Sequence, residues 1–170
     1  EMSLEDYENF VFEACLQDWQ RNTQNINKLL SLFKKGRSVE LLGENVDLKF
    51  KIRGKQAVAD RGEENMPGGE IFMAPQKYTA EGYIKFDYPA IEAGNEVLGI
   101  YLEFKQGRVV KSTAEKNEEF LKQMLSADKN ASYLGEFGIG CNPSINRFTK
   151  NLLFDEKING TIHLALGMAY

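Results

Sequence analysis

The sequence predicts an α+β fold: helices at the front, then a mostly antiparallel or mixed β-sheet domain with one further helix. Two observations carry this. The apolar period is helical up to about residue 35 and changes to two immediately afterwards. Strand-like runs then follow one another, separated by turn signals such as Ala93-Gly94-Asn95 and Gln106-Gly107.

From Leu4 onward apolar residues fall at Tyr7, Val11, Ala14 and Cys15, then at Ile26, Leu29, Leu30 and Phe33. Ser3 and Asp6 stand like a capping box at the start. The Asn/Gln-rich run RNTQNIN is expected to divide two helices or weaken one long one, and Gly36 to end the second. Val39, Leu41, Val46, Leu48, Phe50 and Ile52 then alternate with polar neighbours, as half-buried strands do. A loop, ADRGEENMPGG, leads into EIFMAP; further strands are expected at GYIKFDY, EVLGIYLEFK and GRVVKST. Residues 114–127 place Phe120, Leu121, Met124 and Leu125 on one helical stripe. YLGEFGIGC and residues 161–169 read as the last strands. The whole of 1–170 is expected to form part of one domain, with a helical lead-in over 3–35 and a β-rich region over 37–170.

Composition is that of an ordinary globular domain, 42% hydrophobic and 27% charged. A net charge of −4 without a basic stripe argues against nucleic acid as a partner. No stretch approaches the ~20 apolar residues of a membrane span. The N-terminal EMSLEDYENF is acidic and helical, unlike a signal peptide. Cys15 and Cys141 each lie in an apolar pattern and are expected to be buried free thiols, which favours a cytoplasmic location. Glu1 precedes Met2 and the chain ends at Tyr170 in mid-pattern, so it is expected to be a piece of a longer protein.

Three stretches can carry chemistry. In NMPGGE, two glycines let the backbone turn sharply and present Glu70 at the start of an apolar strand. A carboxylate there needs a partner, and a cation would supply one, unless Glu70 is simply a surface glutamate after a turn. In GEFGIG, Glu136 shares a strand face with Leu134, Gly138 and Gly140, so it is either a ligand or half of a buried ion pair. His163, the only histidine, shares a face with Thr161 and Ala165, opposite Ile162, Leu164 and Leu166. Spacing alone leaves a structural histidine and a ligand both open.

Taken in order, NMPGGEIFMAP, LGEFGIG and LFDEKINGTIHLALGMAY resemble the M29 metallopeptidases, the thermophilic aminopeptidase family. The resemblance runs from the YENFVFEACLQDW helix to the chain end. It implies an aminopeptidase that removes N-terminal residues from peptides with a free N-terminus, using two divalent metal ions (zinc, cobalt, manganese or magnesium). It further implies that Glu70, Glu136 and His163 are metal ligands, that Glu136 bridges the ions as a catalytic carboxylate, and that Tyr170 stands at the metal centre as a catalytic residue. A homodimer is the implied assembly.

The sequence departs from the family in several places. The family's downstream His-x-Asp motif and its preceding α/β domain are absent. Gly43-Glu44-Asn45-Val46-Asp47-Leu48 replaces a Gly-x-Gly-Thr-Asp-Leu turn, and Met73 stands where a threonine is expected. Glu64 and Glu156 are candidates for the general base. With part of the ligand set missing, these residues alone are expected to be inactive, and Glu70 and Glu136 to face each other as like charges that either raise one carboxyl's pKa or make the local loops relax to separate them. Two other readings remain: a metal-free binding or assembly module whose glutamates form ion pairs, and a hydrolase using Glu70 and Glu136 as an acid–base pair.

Overall fold

The structure is a computed structural model that describes residues 3–168. In chain order it contains α1 (Leu4–Cys15), α2 (Trp19–Phe33), β1 (Ser38–Gly43), β2 (Val46–Lys51), β3 (Val58–Asp60) and β4 (Glu70–Met73). These are followed by β5 (Glu81–Lys85), β6 (Ala90–Glu92), β7 (Asn95–Val97), β8 (Tyr101–Lys105) and β9 (Arg108–Thr113). The last elements are α3 (Glu118–Leu125), β10 (Leu134–Gly140), α4 (Leu152–Asp155) and β11 (Ile162–Leu166). The expected α+β class is observed. Two compact units share the chain: one draws on Glu1–Lys35, Lys55–Met73 and Gly138–His163, the other on Gly36–Gly54, Ala74–Phe137 and Leu164–Tyr170.

In the first unit, α1 begins where Ser3 Oγ accepts a hydrogen bond from Asp6 N at 3.1 Å, with Glu5 and Asp6 at the positive end of the helix dipole. It buries Phe10 and Ala14, one turn apart. The division between helices falls at residues 16–18, not within RNTQNIN. Asp18 caps α2 by accepting from Arg21 N at 3.0 Å, and the Asn/Gln run lies inside the helix. Its Asn22 is buried in the same i, i+4 row as Ile26 and Leu30, so burial overrides the weak propensity of asparagine there. The helix ends at Phe33 with Lys34 still in a right-handed conformation; Gly36 is not a left-handed cap. Phe10, Ala14, Ile145, Phe154 and Ile158 form one core, with the Phe10 and Phe154 rings 5.4 Å apart.

The second unit is built on a five-stranded antiparallel sheet in the order β1-β2-β5-β8-β9, with β6 and β7 as a separate hairpin. Period-two burial explains the inner face: Leu48 and Phe50 on β2, Ile84 on β5, and Leu102 and Phe104 on β8 are all buried. Each such side chain contributes about 1.5–3 kcal/mol of transfer free energy. Phe137 packs edge-on against Phe50 at 5.3 Å. The EVLGIYLEFK run is not one strand; it breaks between β7 and β8 at Gly99, whose φ is 61°. The predicted helix over 114–127 is shorter at both ends, since Asn117 is left-handed at its start. A four-stranded sheet in the order β11-β10-β4-β3 carries the candidate site.

Candidate metal centre

Glu70 opens β4 because the chain before it is fixed in a sharp approach. The Met66–Pro67 peptide is cis, and Gly69 adopts φ 109°, a conformation that disfavours any side chain. A Cβ on Gly69 would also stand 2.8 Å from Asn142 Cβ. Asn142, fully buried, holds this turn from the other side. Its Nδ2 donates to Gly68 O at 2.9 Å and to Ala14 O at 3.1 Å. Cys141 N donates to Gly69 O at 2.7 Å, and Gly69 N to Asp60 O at 3.1 Å. Nothing in the polar string CNPS marked Asn142 as a three-way tie; its partners lie 74 and 128 residues away.

The Glu70 carboxylate is buried between the side chains of Lys157 and His163. Lys157 Nζ lies 2.9 Å from Oε1, with the lysine side chain only 1% exposed. His163 Nε2 lies 3.3 Å from Oε2. Burial alone would raise the Glu70 carboxyl, but His163 and Lys157 outweigh it and hold the group below the usual carboxylate range. The expectation of a raised pKa from an unneutralised like charge is therefore corrected for Glu70: Lys157 supplies the neutralising cation. Glu70 is thus not a surface glutamate, and the cation beside it is a lysine.

His163 sits on β11, whose five residues are all half-buried, so the expected alternation of faces is not seen in burial. Its ring lies directly against Gly138 of β10. A Cβ built on Gly138 would be 2.0 Å from Nε2, so only glycine leaves room for the imidazole. Glu136 is half-buried on β10, two residues before Gly138. Among the described residues no three His, Cys, Asp or Glu gather as a metal-ligating group; Glu70 and His163 are the pair brought together. Tyr170 lies outside the described residues. Glu64 is exposed and Glu156 half-buried at the end of α4. Asp60, missed in the sequence, pairs with Glu70 across β3 and β4 and is buried, its Oδ1 accepting from Gly62 N at 2.9 Å.

Cys15 and Cys141 are free thiols, as expected; Cys141 is buried, whereas Cys15 is only half-buried. Burial, and then the charge of Glu70, pushes Cys141 up to about 11. Since the thiolate is the reactive form, Cys141 in the folded protein should react with a disulfide reagent at pH 8 about a hundredfold more slowly than after unfolding. Site-resolved mass spectrometry of the labelled protein reads this; equal rates before and after unfolding would contradict the buried placement.

The family described as thermophilic metalloprotease (M29) matches residues 1–170. The chain is 32% identical over 170 residues to aminopeptidase AmpS of Bacillus subtilis, covering 91% of this chain and 41% of that protein. It is 37% identical over 112 residues to aminopeptidase T of Thermus thermophilus, covering 62% of this chain and 26% of that protein. Among solved structures, wild-type AmpT from Thermus thermophilus superimposes with a TM-score of 0.80 at 26% identity, over 95% of this chain and 44% of that one. The 2,5-dihydroxypyridine dioxygenase of Pseudomonas putida superimposes with a TM-score of 0.66 over 88% of this chain and 48% of that one; at 19% identity the likeness is of fold alone. The chain spans less than half the length of the curated relatives it matches.

Proposed function

Because the chain belongs to the thermophilic metalloprotease family M29, we propose that the protein carrying it is a metal-dependent aminopeptidase that releases N-terminal residues from peptides by a two-metal hydrolytic mechanism. Glu70, Glu136 and His163 are its metal ligands in this reading, with Glu136 as the bridging carboxylate and Tyr170 as a further catalytic residue of the metal centre. The observation that carries it is the meeting of Glu70 Oε2 and His163 Nε2 at 3.3 Å. Two donors at 2.0–2.1 Å from one tetrahedral ion stand about 3.3 Å apart, so a carboxylate oxygen and an imidazole nitrogen are spaced to share a zinc-like cation. The names of the similar proteins, aminopeptidases AmpS and T, point to the same activity.

When bound, a pair of divalent ions supplies an activated water and polarises the scissile carbonyl. The chain's own residues fix where that can happen. Gly138 leaves the space in which His163 stands, and the Asn142-tied turn aims Glu70 at it. Zinc, cobalt, manganese and magnesium all suit an oxygen- and nitrogen-donor site. One imidazole and two carboxylates fall short of a two-metal ligand set, so these 170 residues alone should be inactive. A homodimer and a cytoplasmic location belong to the same proposal, the latter supported by the two free thiols. No described helix is long and apolar enough to cross a membrane.

Glu136→Gln in the full-length protein should abolish hydrolysis of peptides with a free N-terminus while leaving the melting temperature close to that of the parent. Normal turnover in that variant would overturn the bridging role. A second reading, a metal-free module held by ion pairs, is favoured by one observation, the buried Lys157–Glu70 contact. The two separate cleanly: divalent ions raise the melting temperature of an aminopeptidase of this kind and leave a metal-free module unchanged.

A further inference from the structure

Lys157 has no place in a metal ligand set, yet it is among the most deeply buried side chains of the chain, at 1% exposure. Its backbone is held on three sides. Its N donates to Phe154 O at 3.0 Å, closing the turn after α4. Its carbonyl accepts from Asn142 N at 3.1 Å, and Ile158, next in sequence, sits in the apolar core. Gly140 of β10 crosses so close that a Cβ there would be 2.0 Å from Ile158 O. The ammonium is therefore delivered to Glu70 Oε1 by a fixed backbone, while Oε2 faces His163.

We infer that Lys157 is a resident counter-cation: it pairs with Glu70 and holds it in place while the site holds no metal, and it does so against metal binding. The inference rests on the metal reading proposed above. Its logic is electrostatic. Without metal, a buried carboxylate needs an opposite charge, and Lys157 provides one. Once a divalent cation shares the carboxylate, the same ammonium becomes a like charge close to it and draws electron density from the ligand oxygen. Lys157 thus favours the metal-free folded state more than the loaded one. A lysine that merely filled space would favour both equally, and one that oriented the ligand for metal would favour the loaded state.

The test is thermal unfolding of the full-length protein in chelator and in saturating zinc, for the parent, Lys157→Met and Lys157→Arg. Lys157→Met should lower the melting temperature in chelator by about 10 °C and in zinc by less than half as much, so the zinc-induced rise widens by about 5 °C or more. A variant that folds only when zinc is present is the extreme form of that result. Lys157→Arg keeps the charge and should show a zinc-induced rise close to the parent's. Equal falls in both conditions, a larger fall in zinc, or a widened rise in Lys157→Arg would each overturn the inference. A parent protein with no zinc-induced rise overturns the metal reading itself, and this inference with it, before any substitution is compared.

Discussion

Glu70→Leu is expected to lower stability by about 3–5 kcal/mol, because it leaves the Lys157 ammonium buried without its counter-charge. The carboxylate cannot be replaced by water at that position; Lys157 is 1% exposed and Glu70 8% by side chain. Against a domain stability of about 5–15 kcal/mol this is a large fraction, visible as a fall of roughly 10 °C or more in melting temperature in the presence of a chelator. The double variant Glu70→Leu/Lys157→Met should recover most of the loss, since an apolar pair of similar volume has no charge to bury. If the double variant is as unstable as the single one, the ion pair is not the cause and packing around Glu70 is.

Gly138→Ala should act in the opposite manner, with little effect on the fold and a large one on function. The added methyl would sit 2.0 Å from His163 Nε2, where a carbon–nitrogen contact needs well over 3 Å. The near atom is the tip of a side chain and not backbone, so the imidazole can swing away at modest cost. It then leaves Glu70 Oε2. Ligands displaced by about 1 Å lose on the order of a hundredfold in rate, and metal affinity falls by about 10–100-fold. Peptidase assays and zinc titration of the full-length protein, alongside circular dichroism, read the two effects separately. Activity within a few-fold of the parent would mean that His163 does not need its observed seat.

Much of the architecture was legible because it follows from local rules. The Ser3 cap, the β1–β2 and β8–β9 hairpins and the glycine-led entry to Glu70 are all written within a few residues of sequence. RNTQNIN reads as weak helix and so draws the expected break too far along the chain, whereas Asp18 three residues earlier supplies the cap that starts a new helix. β3 was hidden inside a polar loop: three residues gain strand geometry only by pairing with β4. At the site, the sequence leaves Glu70 as either a surface glutamate or a carboxylate in need of a cation, and does not say which of 21 Lys and Arg would serve. Lys157 stands in the charged string DEKIN, where nothing local separates a buried lysine from a solvated one. Its neighbours Phe154 and Ile158, both core residues, carry the only hint.

The unit that holds Glu70, Lys157 and His163 is assembled from three stretches far apart in the chain. That spacing has a kinetic meaning. On the ribosome, at about 5–20 residues per second, Lys157 follows Glu70 by roughly 90 residues and thus by about 5–20 s. The hairpins β1–β2 and β8–β9 close loops of a few residues and need not wait. Glu70 does wait, with water as the only solvent for its charge, until the last third of the chain arrives. The strands of the large sheet are therefore expected to be protected from exchange early in synthesis, and the turn around Gly68 and Gly69 only after residue 157 has emerged.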